Sequence, residues 1–148
     1  MTDQAAFATV LRHAETDHEL GDCFAVMCEL RPQLAQASDF VAKMRRQQVQ
    51  GYRVLAAWRA GQAVALAGYR QQENTINGRF VYVDDLVVSA TLRRTGLGAQ
   101  LLDAVSSEAR VLGCGRVVLD TALGNSFAQR FYFRHGLLAV GMHFTKLL

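Results

Sequence analysis

The run from Tyr52 to Val88 restricts the fold more than any other stretch of the chain. "YRVLAAW" and "AVALAGY" are strand-like segments separated by "RAGQ", and "ENTINGR" places an Asn-Gly turn signal before "FVYVDDLVV". Three consecutive strands joined by tight turns predict an antiparallel meander. Before it, "FATVLRHA" reads as a first strand, starting at Phe7. Asp17 then caps a helix in which Leu20, Cys23, Phe24, Met27 and Leu30 recur at three- and four-residue steps before Pro32. A second helix is expected from Ser38, with Phe40, Val41 and Met44 on its apolar side. After the meander, Leu97, Leu101, Leu102, Val105, Ala109 and Leu112 share one face of a strong helix that ends near Gly113. "RVVLDTA" follows as a buried strand, then a helix from about Asn125 to Arg134, and a final strand ending in "HFTKLL". This order predicts an α/β fold with a mixed sheet.

Composition narrows the class further. A chain of 148 residues, 51% hydrophobic, fits one domain, residues 1–148, that buries roughly two-thirds of its unfolded surface and needs no disulfide or metal to fold. Cys23, Cys28 and Cys114 are odd in number and lie in apolar stretches without ligand spacing, which predicts free buried thiols and a reducing, cytoplasmic setting. The start carries no basic residue before its first apolar patch, and no run approaches the 18 or so apolar residues of a membrane span. A soluble, unprocessed protein is expected. The formal net charge of +3 is too small to argue for nucleic acid but suits a small polyanionic ligand. His13, His18, His135 and His143 show no metal-ligand spacing.

The polyanion has a natural seat in "LRRTGLGAQLL", Leu92 to Leu102. Gly96 and Gly98 stand where a helix begins, so the amides of its first turn lack intrahelical partners and the helix dipole adds partial positive charge. Arg93 and Arg94 add long-range attraction to a phosphate. A P-loop is excluded because no G-x-x-x-x-G-K-[ST] string exists. A dinucleotide fingerprint gains from Asp120, about twenty residues on. It fails at its third glycine, which is Leu101 here, and at Ser89 to Thr95, which separate the glycines from the strand.

Arg93, Gly96 and Gly98 together satisfy [QR]-x-x-G-x-[GA], and "NSFAQRFYFRHGL" supplies a second block through Asn125, Ala128, Phe131, Tyr132, Gly136 and Leu137. In these two motifs, in their order and in the element order around them, the chain resembles the GNAT superfamily of acyl-CoA-dependent N-acyltransferases. The resemblance implies a mixed, mostly antiparallel sheet of six to seven strands, flanked by about four helices and splayed between the fourth and fifth strands. It implies acetyl-CoA as cosubstrate and no metal. Its pyrophosphate would rest on the loop amides from Arg94 through Thr95, Gly96, Leu97 and Gly98 to Ala99, supported by Arg93. The pantetheine arm would pair with the strand at Leu86, Val87 and Val88, with the Leu86 amide toward the thioester carbonyl. Asn125, Ala128 and Phe131 would line the other side of the arm, and Arg134 or Arg130 would meet the outer phosphate. Tyr132 matches the position commonly assigned as general acid. Ala90 replaces a proline common in this loop, which loosens it without removing a donor.

Asp84 and Asp85 are the remaining candidate catalytic residues. Neighbours in a strand project to opposite faces, so at most one enters a cleft unless a bulge turns the pair. Buried acids are unfavourable without partners, and a cationic substrate would be one. "YVDDLVV" also resembles the "YLEDFFV" stretch of diamine (polyamine) acetyltransferases, which implies that the pair contacts an amine and starts a water-linked proton path. The expected function is acetyl transfer to a primary amine of a small cationic, polyamine-like or lysine-like molecule. Two alternatives stand beside it: a protein lysine or N-terminal acetyltransferase, and a non-catalytic acyl-CoA-binding module. A homodimer is expected from the sheet edges and the C-terminal strand.

Overall fold

Residues 52–88 form the expected meander in the computed structural model, which describes residues 8–148. Strands β2 (Tyr52–Arg59), β3 (Gln62–Asn74) and β4 (Gly78–Val88) are antiparallel neighbours. β1 (Val10–His13) pairs antiparallel with β2, and β5 (Arg116–Leu119) follows β4, so the sheet runs β1-β2-β3-β4-β5. The start of the first predicted strand, Phe7, lies outside the described residues. Five α-helices accompany the sheet: α1 (Asp17–Asp22), α2 (Phe24–Leu30), α3 (Ala37–Gln48), α4 (Leu97–Val111) and α5 (Ser126–Arg134), with a 3₁₀ turn at Ala90–Leu92. The described chain divides into two units, one ending at Val118 and the other Leu119–Leu148.

Strand alternation assigns two faces to the sheet within the first unit. Tyr52, Val54, Ala56, Trp58, Leu66 and Val87 join Leu20, Cys23, Val26, Met27, Phe40 and Met44 of the N-terminal helices in one buried cluster. The intervening residues, among them Leu55, Ala67, Tyr69, Val81 and Val83, are buried on the opposite side, where α4 contributes Leu97, Leu101, Leu102, Val105 and Ala109. Each large side chain removed from water in this way stabilises the fold by about 1.5–3 kcal/mol.

Four expectations change. Among the described residues the sheet has five strands rather than six to seven, because "HFTKLL" forms none. Leu138, Val140, Met142 and Phe144 alternate as a strand would, but all are exposed, and no backbone pairing extends beyond Leu137 among the described residues. An alternating pattern makes a strand only where an edge receives it. The helices number five rather than four, because the helix predicted from Asp17 to Leu30 is broken at Cys23, whose N–H bonds back to the Leu20 carbonyl in a tightened last turn. Its cap is Thr16, not Asp17: Thr16 Oγ1 accepts from the Glu19 N–H at 3.1 Å while the Glu19 carboxylate accepts from the N–H of Thr16 at 3.1 Å and of Glu15 at 2.9 Å. Finally, of the three cysteines only Cys23 is fully buried, with burial pushing its thiol up to about 12; Cys28 and Cys114 are partly exposed.

The cap carries a pH dependence. Backbone N–H donors, and then Arg12, hold Glu19 down at about 2, below the ordinary value of ~4.3. A depressed folded-state pKa gives stability that is fully present above the ordinary value and lost as pH falls through the folded one. Glu19→Gln is therefore expected to lower the unfolding midpoint by a constant amount at neutral pH, with the difference from the parent shrinking between about pH 4 and about pH 2. Thermal unfolding across that range checks it; a difference independent of pH would remove the carboxylate charge from the explanation.

Candidate active site

One extra residue in β4 organises the acidic pair. Along the β3–β4 ladder Arg70 faces Tyr82 and Tyr69 faces Val83, but Gly68 faces Asp85, which leaves Asp84 as a β-bulge. In an unbulged strand Asp85 would point into the apolar α4 side. The bulge returns it to the side of α2 and α3, where Asp84 also lies. The same residue resets the backbone beyond it. Ser89 donates its N–H to the Val64 carbonyl at 2.9 Å, so by alternation the Val87 amide faces β3 and those of Leu86 and Val88 face away from it. Without the bulge, Leu86 would occupy the place of Val87. The recorded backbone bond from Gly115 N–H to the Arg79 carbonyl, 3.0 Å, lies at the start of β4, well before Leu86.

The two carboxylates have different surroundings. Asp85 is saturated: its Oδ1 accepts from Arg31 Nε at 3.0 Å and Nη2 at 2.9 Å, and its Oδ2 accepts from the Tyr52 hydroxyl at 2.7 Å. Arg31 Nη2 also donates to the Asp84 carbonyl at 3.0 Å. Asp84 accepts from Arg70 Nε through Oδ2 at 3.0 Å, and its Oδ1 has no partner among the described residues. Burial raises the Asp84 carboxyl above the usual range, opposed by its bond to Arg70. Arg70 is itself held by Gln47 at 2.7 Å and lies over the Tyr52 ring, 5.2 Å from its centroid. Burial, then the charge of Asp85, pushes the Tyr52 hydroxyl well above an ordinary phenol, so it donates. Tyr52 crosses from β2 to β4 over Gly68, where a Cβ would stand 1.9 Å from the Tyr52 oxygen.

Asp84 and Asp85 border a cleft of about 350 Å³ shared with Arg31, Lys43, Gln47 and Tyr82. A slightly larger cleft, about 390 Å³, opens at His13, Glu15, Arg45 and Arg53. There Arg45 pairs with Asp17 at 2.7 Å and Arg53 with Glu15 at 3.7 Å, and the chemistry of an uncompensated acid is missing from its lining.

The glycine loop follows β4 through the 3₁₀ turn. Arg93 and Arg94 are exposed, and Arg94 and Gly96 adopt positive φ, 64° and 86°. Gly96 is the N-cap of α4 and offers no side chain, and the first backbone bond of the helix joins Gln100 N–H to the Gly96 carbonyl at 3.0 Å. The amides of Leu97, Gly98 and Ala99 are therefore left for an external acceptor. Thr95 turns its hydroxyl to the Leu92 carbonyl, and the Leu97 side chain is in the core. Val87 likewise commits its side chain to the core, so it differs from Leu86 and Val88 in what its backbone offers.

In the second unit Asn125 caps α5, its Oδ1 accepting the Ala128 N–H at 3.1 Å. Phe131 packs against the rings of Tyr132 and His135, with centroids 5.4 and 4.5 Å away. Burial raises the Tyr132 hydroxyl above an ordinary phenol, so it stands protonated at neutral pH as any phenol does. Arg134 is exposed in the last turn.

Residues 14–137 match the model of the Acetyltransferase (GNAT) family. The chain belongs to that family. It is 32% identical over 143 residues to an aminoalkylphosphonate N-acetyltransferase of Salmonella typhimurium, covering 93% of this chain and 90% of that one. It is 29% identical over 122 residues to the uncharacterized N-acetyltransferase YhdJ of Bacillus subtilis, covering 82% and 86%. Among solved structures, the aminoglycoside N-acetyltransferase AAC(6')-Iy in complex with CoA shares its fold, with a TM-score of 0.83 at 18% identity over 95% of each chain. As a GNAT member the chain is an acyltransferase that uses acetyl-CoA. No helix among the described residues is long and apolar enough to cross a membrane.

Sequence reasoning missed Arg31, Tyr52, Gly68 and Arg70. Gly68 carried a usable signal, since a glycine inside a strand marks a bulge or a close approach. Gly68→Ala is expected to displace Tyr52 from Asp85 and destabilise the protein by about 1–3 kcal/mol, as overpacking does. Denaturant unfolding measures it, and an unchanged midpoint would show that Tyr52 has room to move.

Proposed function

We propose that this GNAT enzyme transfers acetyl from acetyl-CoA directly to the primary amine of a small molecule bound at Asp84. The observation that carries the reading is the bulge, which turns Asp84 into the cleft and the Leu86 and Val88 amides toward the outer side of β4. On this reading the Leu97, Gly98 and Ala99 amides hold the pyrophosphate together with the backbone of Arg94, Thr95 and Gly96, and Arg93 and Arg94 add charge. Leu86 and Val88 pair with the pantetheine arm across the splay between β4 and β5, and the Leu86 amide serves the developing oxyanion. Asn125, Ala128 and Phe131 line the arm, and Arg134 serves the outer phosphate.

An alkylammonium with a pKa near ~10.4 must lose a proton before nitrogen attacks the thioester. Asp84 Oδ1 receives the ammonium, and its raised pKa makes it a better proton acceptor than an exposed carboxylate, directly or through water. Asp85 acts as a positioning residue through Arg31 and Tyr52. Tyr132, protonated at neutral pH, donates to the leaving thiolate. The strand resemblance points to a polyamine-like or lysine-like acceptor. Arginines already compensate both acids, so a single ammonium fits better than a polycation. The name of the Salmonella relative, an aminoalkylphosphonate N-acetyltransferase, supports a small acceptor over a protein lysine or N-terminus, and the open Oδ1 of Asp84 favours an enzyme over a pure binding module. The protein acts in the cytoplasm, and pairs as a homodimer through the exposed alternation of Leu138, Val140, Met142 and Phe144. Sedimentation of the full chain is expected to give twice the chain mass, and a monomer would reject the pairing.

Thiol release from acetyl-CoA with a panel of small primary amines tests the chemistry. Tyr132→Phe is expected to lower kcat by about a hundredfold or more with little change in coenzyme affinity. Asp84→Asn is expected to lower kcat/KM for the amine by a similar factor. Parental turnover in either variant would withdraw the role of that residue.

A further inference from the structure

Resting on the acetyl-transfer reading, we propose that the acceptor is an amine that also carries an anionic group, with Lys43 and the outer edge of Arg31 as the receptor for that group. The charges around the Asp84 cleft do not balance. Asp85 is answered by Arg31 at 2.9 Å and Asp84 by Arg70 at 3.0 Å. Lys43, exposed on α3 and lining the same cleft, has no ion-pair or hydrogen-bond partner among the described residues. Counting Arg70, which pairs with Asp84 from outside the cleft lining, the group sets three cations against two carboxylates, and Lys43 is the cation left over.

Arg31 adds to this excess. Its Nε and Nη2 are occupied by Asp85 and by the Asp84 carbonyl, while Nη1 has no partner among the described residues. Its side chain remains 43% exposed and lines the same cleft. The Arg31 clasp fixes the guanidinium before any acceptor arrives, which reduces the rotamer entropy lost when an anion binds. A cleft with one open carboxylate oxygen and two cationic donors recognises a zwitterion: ammonium on Asp84 Oδ1, anion on Lys43 Nζ and Arg31 Nη1. A diamine or polyamine would bring its second cation against Lys43, where like charges repel. The anion is a carboxylate, a phosphonate or a phosphate ester, since each accepts from the same donors.

The test compares acceptors of equal length in the thiol-release assay: an ω-amino carboxylate, an aminoalkylphosphonate, an amino-alcohol phosphate, the neutral amide or ester of each, and a diamine. The expected result is a kcat/KM about tenfold or more higher for the anionic amines than for their neutral counterparts, with the diamine lowest. The ranking among the three anions identifies the group. Lys43→Gln is expected to remove most of that preference through KM rather than kcat, and Lys43→Arg to retain it. Equal kcat/KM for anionic and neutral amines, or a preference unchanged in Lys43→Gln, would overturn the inference and leave acetyl transfer standing. Calorimetry with the CoA complex separates the two readings. Binding of the anionic amine that weakens about tenfold in Lys43→Gln, without thiol release from any amine, would uphold the anion receptor and reject transfer.

Discussion

The site depends on a single extra residue. Inserting Asp84 into β4 changes the parity of everything after it, in side chains and in backbone. For side chains, Asp85 and Val87 return to the face covered by α2 and α3, so a carboxylate is kept out of the core between the sheet and α4, where Tyr69, Val81 and Leu101 are buried. A carboxylate buried unpaired on that apolar side would be strongly disfavoured. For the backbone, the Leu86 and Val88 amides exchange direction with Val87. On the proposed reading, the acid that meets the amine and the amide that meets the acyl oxygen, Asp84 and Leu86, are thus consequences of the same irregularity and lie two residues apart.

The two acids then divide their tasks through their hydrogen bonds. Asp85 has both oxygens occupied by Arg31 and Tyr52, and a carboxylate in that state orients its neighbours better than it accepts a proton. Asp84 keeps one oxygen open and is raised by burial. Tyr52 depends in turn on Gly68, and Arg70 on Gln47, so the support of the pair reaches back to β2 and α3. Its members lie 14 to 54 residues apart in sequence. This is why a reading by short motifs found the acids and not their partners.

Legibility followed the range of the interaction. The meander could be read because turns and alternation are local, and the anion loop because Gly96 and the first turn of α4 lie within a few residues of each other. Both short blocks of the family pattern were visible for the same reason. The bulge was not, since "FVYVDDLVV" reads equally well as a regular strand; the unfavourable pair of acids was its only trace. The break at Cys23 turned on hydrogen bonds of the final turn of α1, which apolar periodicity does not report. The tail from Leu138 to Phe144 shows the limit from the other side. Its pattern is that of a strand, and pattern alone supplies no partner edge.

Glycine shows how the same residue serves different physics. Gly96 is required for its conformation, a left-handed N-cap that opens the amides of α4. Gly68 has ordinary strand geometry and is required for space, because any side chain would strike Tyr52. The conspicuous glycines are those that gather in a loop, which on the proposed reading holds the coenzyme pyrophosphate. The solitary one inside β3 makes room for the Tyr52–Asp85–Arg31 clasp, and through it supports one wall of the cleft at Asp84 and Asp85. Motif resemblance therefore reports the proposed donor site more readily than the proposed acceptor site: the first rests on contiguous backbone, and the second on single side chains delivered by β2, β3, β4, α2 and α3.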